Sequence, residues 1–315
     1  MFDNSSLSNI FFIKNSPKNI MKKLFTLFSF SALLMQAFAQ APIDSTKLWT
    51  KAAIFNFNFS QSSFSNWTAG GQNSLNFVSL LNLSATRKTD NAKWENTLDL
   101  AYGVQKLQDF KLRKTDDRIE LNSKYGFNLK KNLLLTSLGN FRTQFADGFT
   151  YPKGTDTPEV FISGFMAPGY LILSEGLDYS PYKTFSIYFS PFTYKGTFVF
   201  NDVLSNAGAF GVDSGTNIRS EFGMYATFKY QEEVFTDVEI KSKLDLFGNY
   251  TTLPEIDVNW ENALLFKVNK YITTSFTTNL IYDKDILIAS QDNPKDVKDR
   301  VQFKQVLAIG LSIKF

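Results

Sequence analysis

Two residue types are missing from these 315 residues altogether: there is no cysteine and no histidine. Without cysteine there is no disulfide framework, no thiolate nucleophile or metal ligand, and no cysteine for a lipid anchor. Without histidine the commonest general base, and the usual partner of a serine or cysteine nucleophile, is gone. The expectation is therefore a chain that is no enzyme and needs no cofactor and no metal. Long apolar runs are also scarce: nothing after Phe38 approaches the roughly twenty residues a membrane helix requires, which excludes a helical membrane protein. Neither sign of charge dominates, with 33 basic against 30 acidic residues, so the basic face that nucleic acid would demand is absent. No phosphate-cradling glycine motif, zinc spacing or nucleophile elbow occurs either.

What the chain does have is aromatic content, 16% with 33 phenylalanines, at a mean hydropathy of only −0.16. Apolar side chains must then be dispersed among polar ones. The last stretch, Arg300 to Phe315, displays how. Val301, Phe303, Gln305, Leu307, Ile309, Leu311, Ile313 and Phe315 form an apolar row with one interruption, and the alternate positions are mostly polar or small. That period of two is a strand with one greasy face. It exceeds the usual five or six residues and is long enough to cross a hydrocarbon layer, which takes about nine to eleven tilted residues. A long alternating final strand closing on phenylalanine resembles the C-terminal strand of bacterial outer-membrane barrels, which the assembly machinery reads.

At the other end, Met21-Lys22-Lys23 opens a positively charged start, Leu24 to Phe38 is apolar, and Ala37-Phe38-Ala39 fits a small-x-small cleavage site. Residues 21–39 thus read as a secretory signal peptide. Residues 1–20 fit no part of such a signal and read as a spurious extension ahead of a true start at Met21. A periplasmic tail over 40–50 and a barrel over 51–315 complete the division.

Within the barrel the periodicity predicts twelve strands: Ala52–Ser60, Leu75–Arg87, Trp94–Lys106, Arg118–Leu129, Leu133–Phe145, Met166–Tyr179, Thr184–Phe198, Ile218–Val234, Val238–Phe247, Ile256–Val268, Ile272–Tyr282 and the last stretch. Pro168 is placed at the start of the sixth, Pro181 in the turn after it, and Pro191 inside the seventh, where it should mark a bulge or break. Arg113 to Asp117 is read as a polar loop. The connections alternate long and short along the whole chain. Short periplasmic turns, longer outer loops and an even strand count are the signature of transmembrane barrels. The fold class expected is therefore all-β, a closed antiparallel up-and-down transmembrane barrel of twelve strands. A secreted sandwich or propeller shares the alternation but expects shorter strands and no such rhythm. Trp94, Tyr125, Phe145, Tyr179, Tyr230, Trp260, Tyr271 and Tyr282, near strand ends, would form interfacial girdles.

Several motifs go further. Phe64-Ser65-Asn66-Trp67-Thr68-Ala69-Gly70-Gly71, Leu98 to Gly103, Arg113-Lys114-Thr115-Asp116-Asp117 running into Glu120 to Gly126, Ser190-Pro191-Phe192-Thr193 and Gly208-Ala209-Phe210-Gly211-Val212 together resemble a domain of unknown function common in Bacteroidota. The resemblance implies an outer-membrane β-barrel of a Gram-negative envelope, surrounded by lipid and lipopolysaccharide. It implies no activity.

With the apolar rows facing lipid, the opposite rows face the lumen. This places Arg118, Glu120, Lys124, Arg142, Arg219, Glu221, Glu239, Lys241, Lys243, Asp257, Glu261 and Lys304 inside, with Glu95, Asp99, Lys229, Asp245 and Lys267. Two readings stay open: a water-filled passage for small polar or charged solutes, or a lumen closed by cross-strand ion pairs. Twelve strands lie between barrels that side chains fill and barrels that enclose a channel. The first reading makes the protein a narrow, monomeric diffusion channel. The second makes it a closed structural or docking barrel whose outer loops recognise partners. The loop carrying Asn66, Trp67, Gly70 and Gly71 reads either as a constriction folded into the lumen or as a tight outer turn. The acids Asp116-Asp117, Glu232-Glu233, Asp283 and Asp285 read as solvated loop charge rather than a cation site.

Overall fold

The computed structural model describes residues 48–63, 73–107, 111–150, 159–289 and 297–314. Residues 1–47, on which the expected extension, signal peptide and most of the expected tail fall, most of the loop that carries Asn66, Trp67, Gly70 and Gly71, and Phe315 lie outside the described residues. Twelve long strands form one closed antiparallel barrel. They are β1 Trp49–Ser62, β2 Ser74–Lys88, β3 Ala92–Leu107, β4 Arg113–Lys130, β5 Leu133–Thr143, β6 Gly169–Tyr182, β7 Phe185–Phe198, β8 Ile218–Phe235, β9 Val238–Asn249, β10 Ile256–Lys267, β11 Ile272–Tyr282 and β12 Gln302–Lys314. Each pairs with its neighbours in sequence, and β12 pairs back onto β1 from Ile54↔Lys314 to Asn58↔Gly310. That seam leaves no room for a side chain at Gly310, because a Cβ there would lie 1.9 Å from Asn58 Oδ1 and 2.7 Å from the Phe57 carbonyl oxygen. Closure removes the unpaired edges that an open sheet would expose.

Both ends of the described barrel chain meet the short turns, and the longer connections gather at the opposite end. Two of the short turns use the left-handed region that asparagine and aspartate tolerate best, at Asn132 (φ 64) and Asp237 (φ 64). Two small hairpins decorate the loop end, Gly148–Thr150 with Val160–Ser163 and Leu287–Ala289 with Val297–Asp299. A short helix, α1 Asp202–Asn206, is capped by Asn201, whose side chain accepts from the Leu204 amide at 3.1 Å.

The outer surface carries the greasy rows. Phe303, Leu307, Ile309 and Leu311 of β12 are all more than half exposed, and Leu121, Tyr125, Phe127 and Leu129 of β4 nearly half. Such an apolar belt on a closed sheet has the form of a lipid-facing wall. Of the expected girdle residues, Trp94, Tyr125, Phe145, Tyr179, Trp260 and Tyr271 are exposed, while Tyr230 and Tyr282 are half-buried.

Several boundaries differ from the expectation. β1 begins at Trp49, before Ala52. Arg113 to Asp117 belongs to β4 and not to a loop, because a bulge opposite Gly103 and Val104 absorbs one extra residue and lets the pairing continue. β6 begins after Pro168, at Gly169, and runs through Pro181 to Tyr182, so that proline lies in the strand rather than in the turn. Beside Pro191 the register does shift, on the β6 side and on the β8 side.

Candidate functional site

A closed sheet sends alternate side chains inward, so twelve rows build the lumen. They fill it unevenly. On β7, β8 and β9 the rings of Tyr188, Tyr225 and Phe247 are buried, packed with Leu138 and Ile172 of β5 and β6. Polar groups around them are matched. The Tyr188 and Ser174 hydroxyls share a hydrogen bond of 2.9 Å, and Tyr225 and Thr227 each donate to Asp245 Oδ1 at 2.8 Å. Lys124 pairs with Asp178 and rests 5.3 Å from the Tyr188 ring centre. This half of the barrel is a packed interior.

The other half is hollow. β1, β2, β11 and β12 present Asn58, Asn76, Thr277, Asn279 and Ala308, small side chains that cannot reach across. A cavity of about 1140 Å³ opens against them. Its lining extends from Gln231, near the turn end of β8, to Ser60, Gln144 and Pro168 at the loop end. The carboxamide oxygens of Asn76 and Asn279 are buried on this side and have no hydrogen-bond partner among the described residues. Buried polar atoms of this kind call for water or a polar solute.

Several ion pairs cross the interior, among them Lys304 of β12 with Asp116 of β4 at 3.0 Å. Lys195 on β7 lies 2.5 Å from Asp257, 3.3 Å from Asp283 and 3.6 Å from Glu221, gathering three strands near the loop end. Beside it Arg219 binds Asp285 at 2.5 Å, Glu221 at 3.1 Å and the Gly211 carbonyl at 3.0 Å. Lower down, Arg118 of β4 and Glu261 of β10 approach to 3.8 Å, although these strands stand opposite each other around the ring. That contact bridges the full width of the barrel.

The loop after β7 packs against the connection between β5 and β6. Ala167, Val199, Leu204 and Val212 form a small buried core at the loop end, with Phe161, Ala209 and Phe210 packed against it. Phe210, held at φ 58 between Gly208 and Gly211, also borders the cavity. A Cβ at Gly211 would lie 2.6 Å from the Arg219 guanidinium, so glycine there permits the arginine to hold the turn.

All twelve charged residues expected inside lie on inward rows. Arg118, Arg142, Lys241, Lys243, Glu261 and Lys304 line the cavity. Glu120, buried and accepting from Asn140 at 2.9 Å, and Lys124 belong to the wall around the packed half. Arg219, Glu221 and Asp257 are in the loop-end network, and Glu239 sits 3.6 Å from Lys241. Asn66, Trp67, Gly70 and Gly71 lie outside the described residues; the segment that reaches the cavity at the loop end is the turn around Phe210. The acids read as solvated loop charge are instead engaged in part. Asp117 is buried and takes Lys114 and the amides of Phe145 and Ala146, while Asp283 and Asp285 anchor Lys195 and Arg219. No cluster of three metal-ligating side chains occurs among the described residues.

Sequence periodicity missed Lys195, Asp178 and Phe210. For Lys195 the cause is the bulge at Pro191. Before it the inward side chains are Tyr188 and Ser190, after it Thr193, Lys195 and Thr197, so the parity reverses in mid-strand. Phe210 had a signal, the two glycines that bracket it within a turn-forming run.

A family model described as a protein of unknown function, DUF3078, matches residues 59–149, from the end of β1 into the loop after β5. No curated protein is significantly similar to the chain. Among solved structures, an outer-membrane channel from Pseudomonas putida F1 is 12% identical with a TM-score of 0.39, over 88% of this chain and 100% of that one. The translocator domain of the autotransporter NalP from Neisseria meningitidis is 11% identical with a TM-score of 0.37, over 93% and 98%. The NanC porin is 8% identical with a TM-score of 0.36, over 84% and 97%. Likeness this remote leaves function to be argued from the lumen itself.

Proposed function

We propose that the chain is a monomeric outer-membrane barrel that passes small polar or charged solutes through an off-centre, narrow passage. The observation that carries this is the half-filled lumen: aromatic packing and ion pairs occupy the β5 to β9 side, while the β1, β2, β11 and β12 side retains a cavity, lined by polar and apolar side chains alike, that extends from near the turn end to the loop end. The membrane setting rests on the exposed apolar rows, which would otherwise meet water over the whole circumference. Inside, the bridge between Arg118 and Glu261 narrows the route and Phe210 borders it near the loop end, which favours solutes of ion or small-metabolite size.

Catalysis has little support. The three carboxylates that converge, Glu221, Asp257 and Asp283, are all engaged by Lys195, and none of them borders the cavity. The test is ion flux. Refolded protein incorporated into planar bilayers should give discrete single-channel steps in concentrated potassium chloride. Folded protein that yields no current would sink the channel reading and leave a closed docking barrel.

A further inference from the structure

The cavity walls are not balanced in charge. Six cationic side chains border it, Arg118, Arg142, Lys229, Lys241, Lys243 and Lys304, against three acids. Those acids are already engaged: Asp116 by Lys304 at 3.0 Å, Asp117 by Lys114 at 2.9 Å, and Glu261 by Arg118. Of the cations, Lys243 has Asp245 at 2.9 Å, Lys241 has Glu239, and Arg142 lies 5.2 Å from the Tyr170 ring centre.

Lys229 is different. It is exposed to the lumen and has no ion pair among the described residues. Its cross-strand partner on β9 is Lys243, a like charge directly opposite, and Lys124 acts on it with the same sign. The two acids that act on it are committed elsewhere. Asp245 receives Lys243, Tyr225 and Thr227, and Glu95 pairs with Lys93 at 2.7 Å. On its other side the cross-strand neighbour is Ser186, whose hydroxyl can donate. An ammonium held among like charges in a water-accessible cavity, with the nearby carboxylates already paired, is what a small anion would neutralise.

We infer that the lumen holds a binding step for small oxyanions, carboxylate or phosphate, centred on Lys229 and flanked by Lys243, and that the passage prefers anions. This rests on the channel reading. The measurement is reversal potential across a potassium chloride gradient, followed by titration of inorganic phosphate, and separately of acetate, against chloride current. The unmodified barrel should favour chloride over potassium, and phosphate or acetate should reduce the current. Lys229→Gln should move the selectivity toward neutrality and weaken oxyanion block by about tenfold, and Lys229→Arg should retain both. Retention of the heat-modifiable gel shift by both variants establishes that they fold. Absence of any current overturns the channel reading itself. A current that prefers potassium, or block unchanged in Lys229→Gln, overturns the anion site alone. Block by one oxyanion and not the other supports the site and identifies which chemistry it takes.

Discussion

Lys195 shows how much of this interior one side chain can hold. Its ammonium is nearly fully buried and offsets three carboxylates from β8, β10 and the loop after β11, so removing it leaves negative charge without compensation. Lys195→Met should cost about 3–5 kcal/mol, read as a lower urea midpoint for unfolding in detergent micelles, while Lys195→Arg should recover most of the loss. An unchanged midpoint would mean that the acids do not depend on it. Glu175 is the converse. It points outward from the middle of β6 between the exposed Leu173 and Leu177, with Ser137 of β5 donating to its carboxylate at 2.5 Å. A carboxylate on a lipid-facing wall is unfavourable, so Glu175→Leu should raise the same midpoint in micelles, with conductance unaltered.

Among the strands, β7 is the one whose geometry is least regular, and its bulge is stabilised from within. The Ser190 side chain is fully buried; its hydroxyl lies within hydrogen-bond distance of the Glu175 and Phe192 carbonyls at 2.8 and 2.9 Å, accepts from the Phe192 amide at 3.2 Å, and takes the Thr193 hydroxyl at 3.0 Å. One hydroxyl thus engages groups on both sides of the register shift. Ser190→Ala should therefore cost about 1–3 kcal/mol, more than an exposed serine elsewhere on the barrel, measured as the difference in unfolding midpoint between the two substitutions. Because the bulge also turns Lys195 inward, its loss should affect the loop-end ion pairs before it affects β1 to β4. Amide exchange would show faster opening confined to β6, β7 and β8.

At the scale of the barrel, the cavity is what remains after one side is packed and one bridge is thrown across. Arg118 and Glu261 come from opposite walls and constrain the width at their level. Replacing both, Arg118→Ala with Glu261→Ala, should enlarge single-channel conductance at a modest cost in stability, because the pair is removed as a unit and Glu120, which Arg118 also approaches to 3.9 Å, keeps its hydrogen bond from Asn140. Conductance equal to or below that of the unmodified protein would show that the narrowest point lies elsewhere, with the turn at Phe210 the next place to look.

The strand count and the closed antiparallel order were legible in the chain, since a period of two marks out strands and assigns their faces without knowledge of neighbours. The alternating lengths of connections carried the topology as well: a tight turn forces the strand after it to pair antiparallel with the one before it. What the sequence could not decide was anything that depends on meeting across the lumen. Whether Arg118 reaches Glu261, whether Lys195 faces in after the bulge, and which half of the interior is hollow all follow from strand stagger and ring order, which bring together residues far apart in the chain. The tertiary structure settled these because side chains fill a barrel according to what faces them, and what faces them is fixed only when β12 closes on β1.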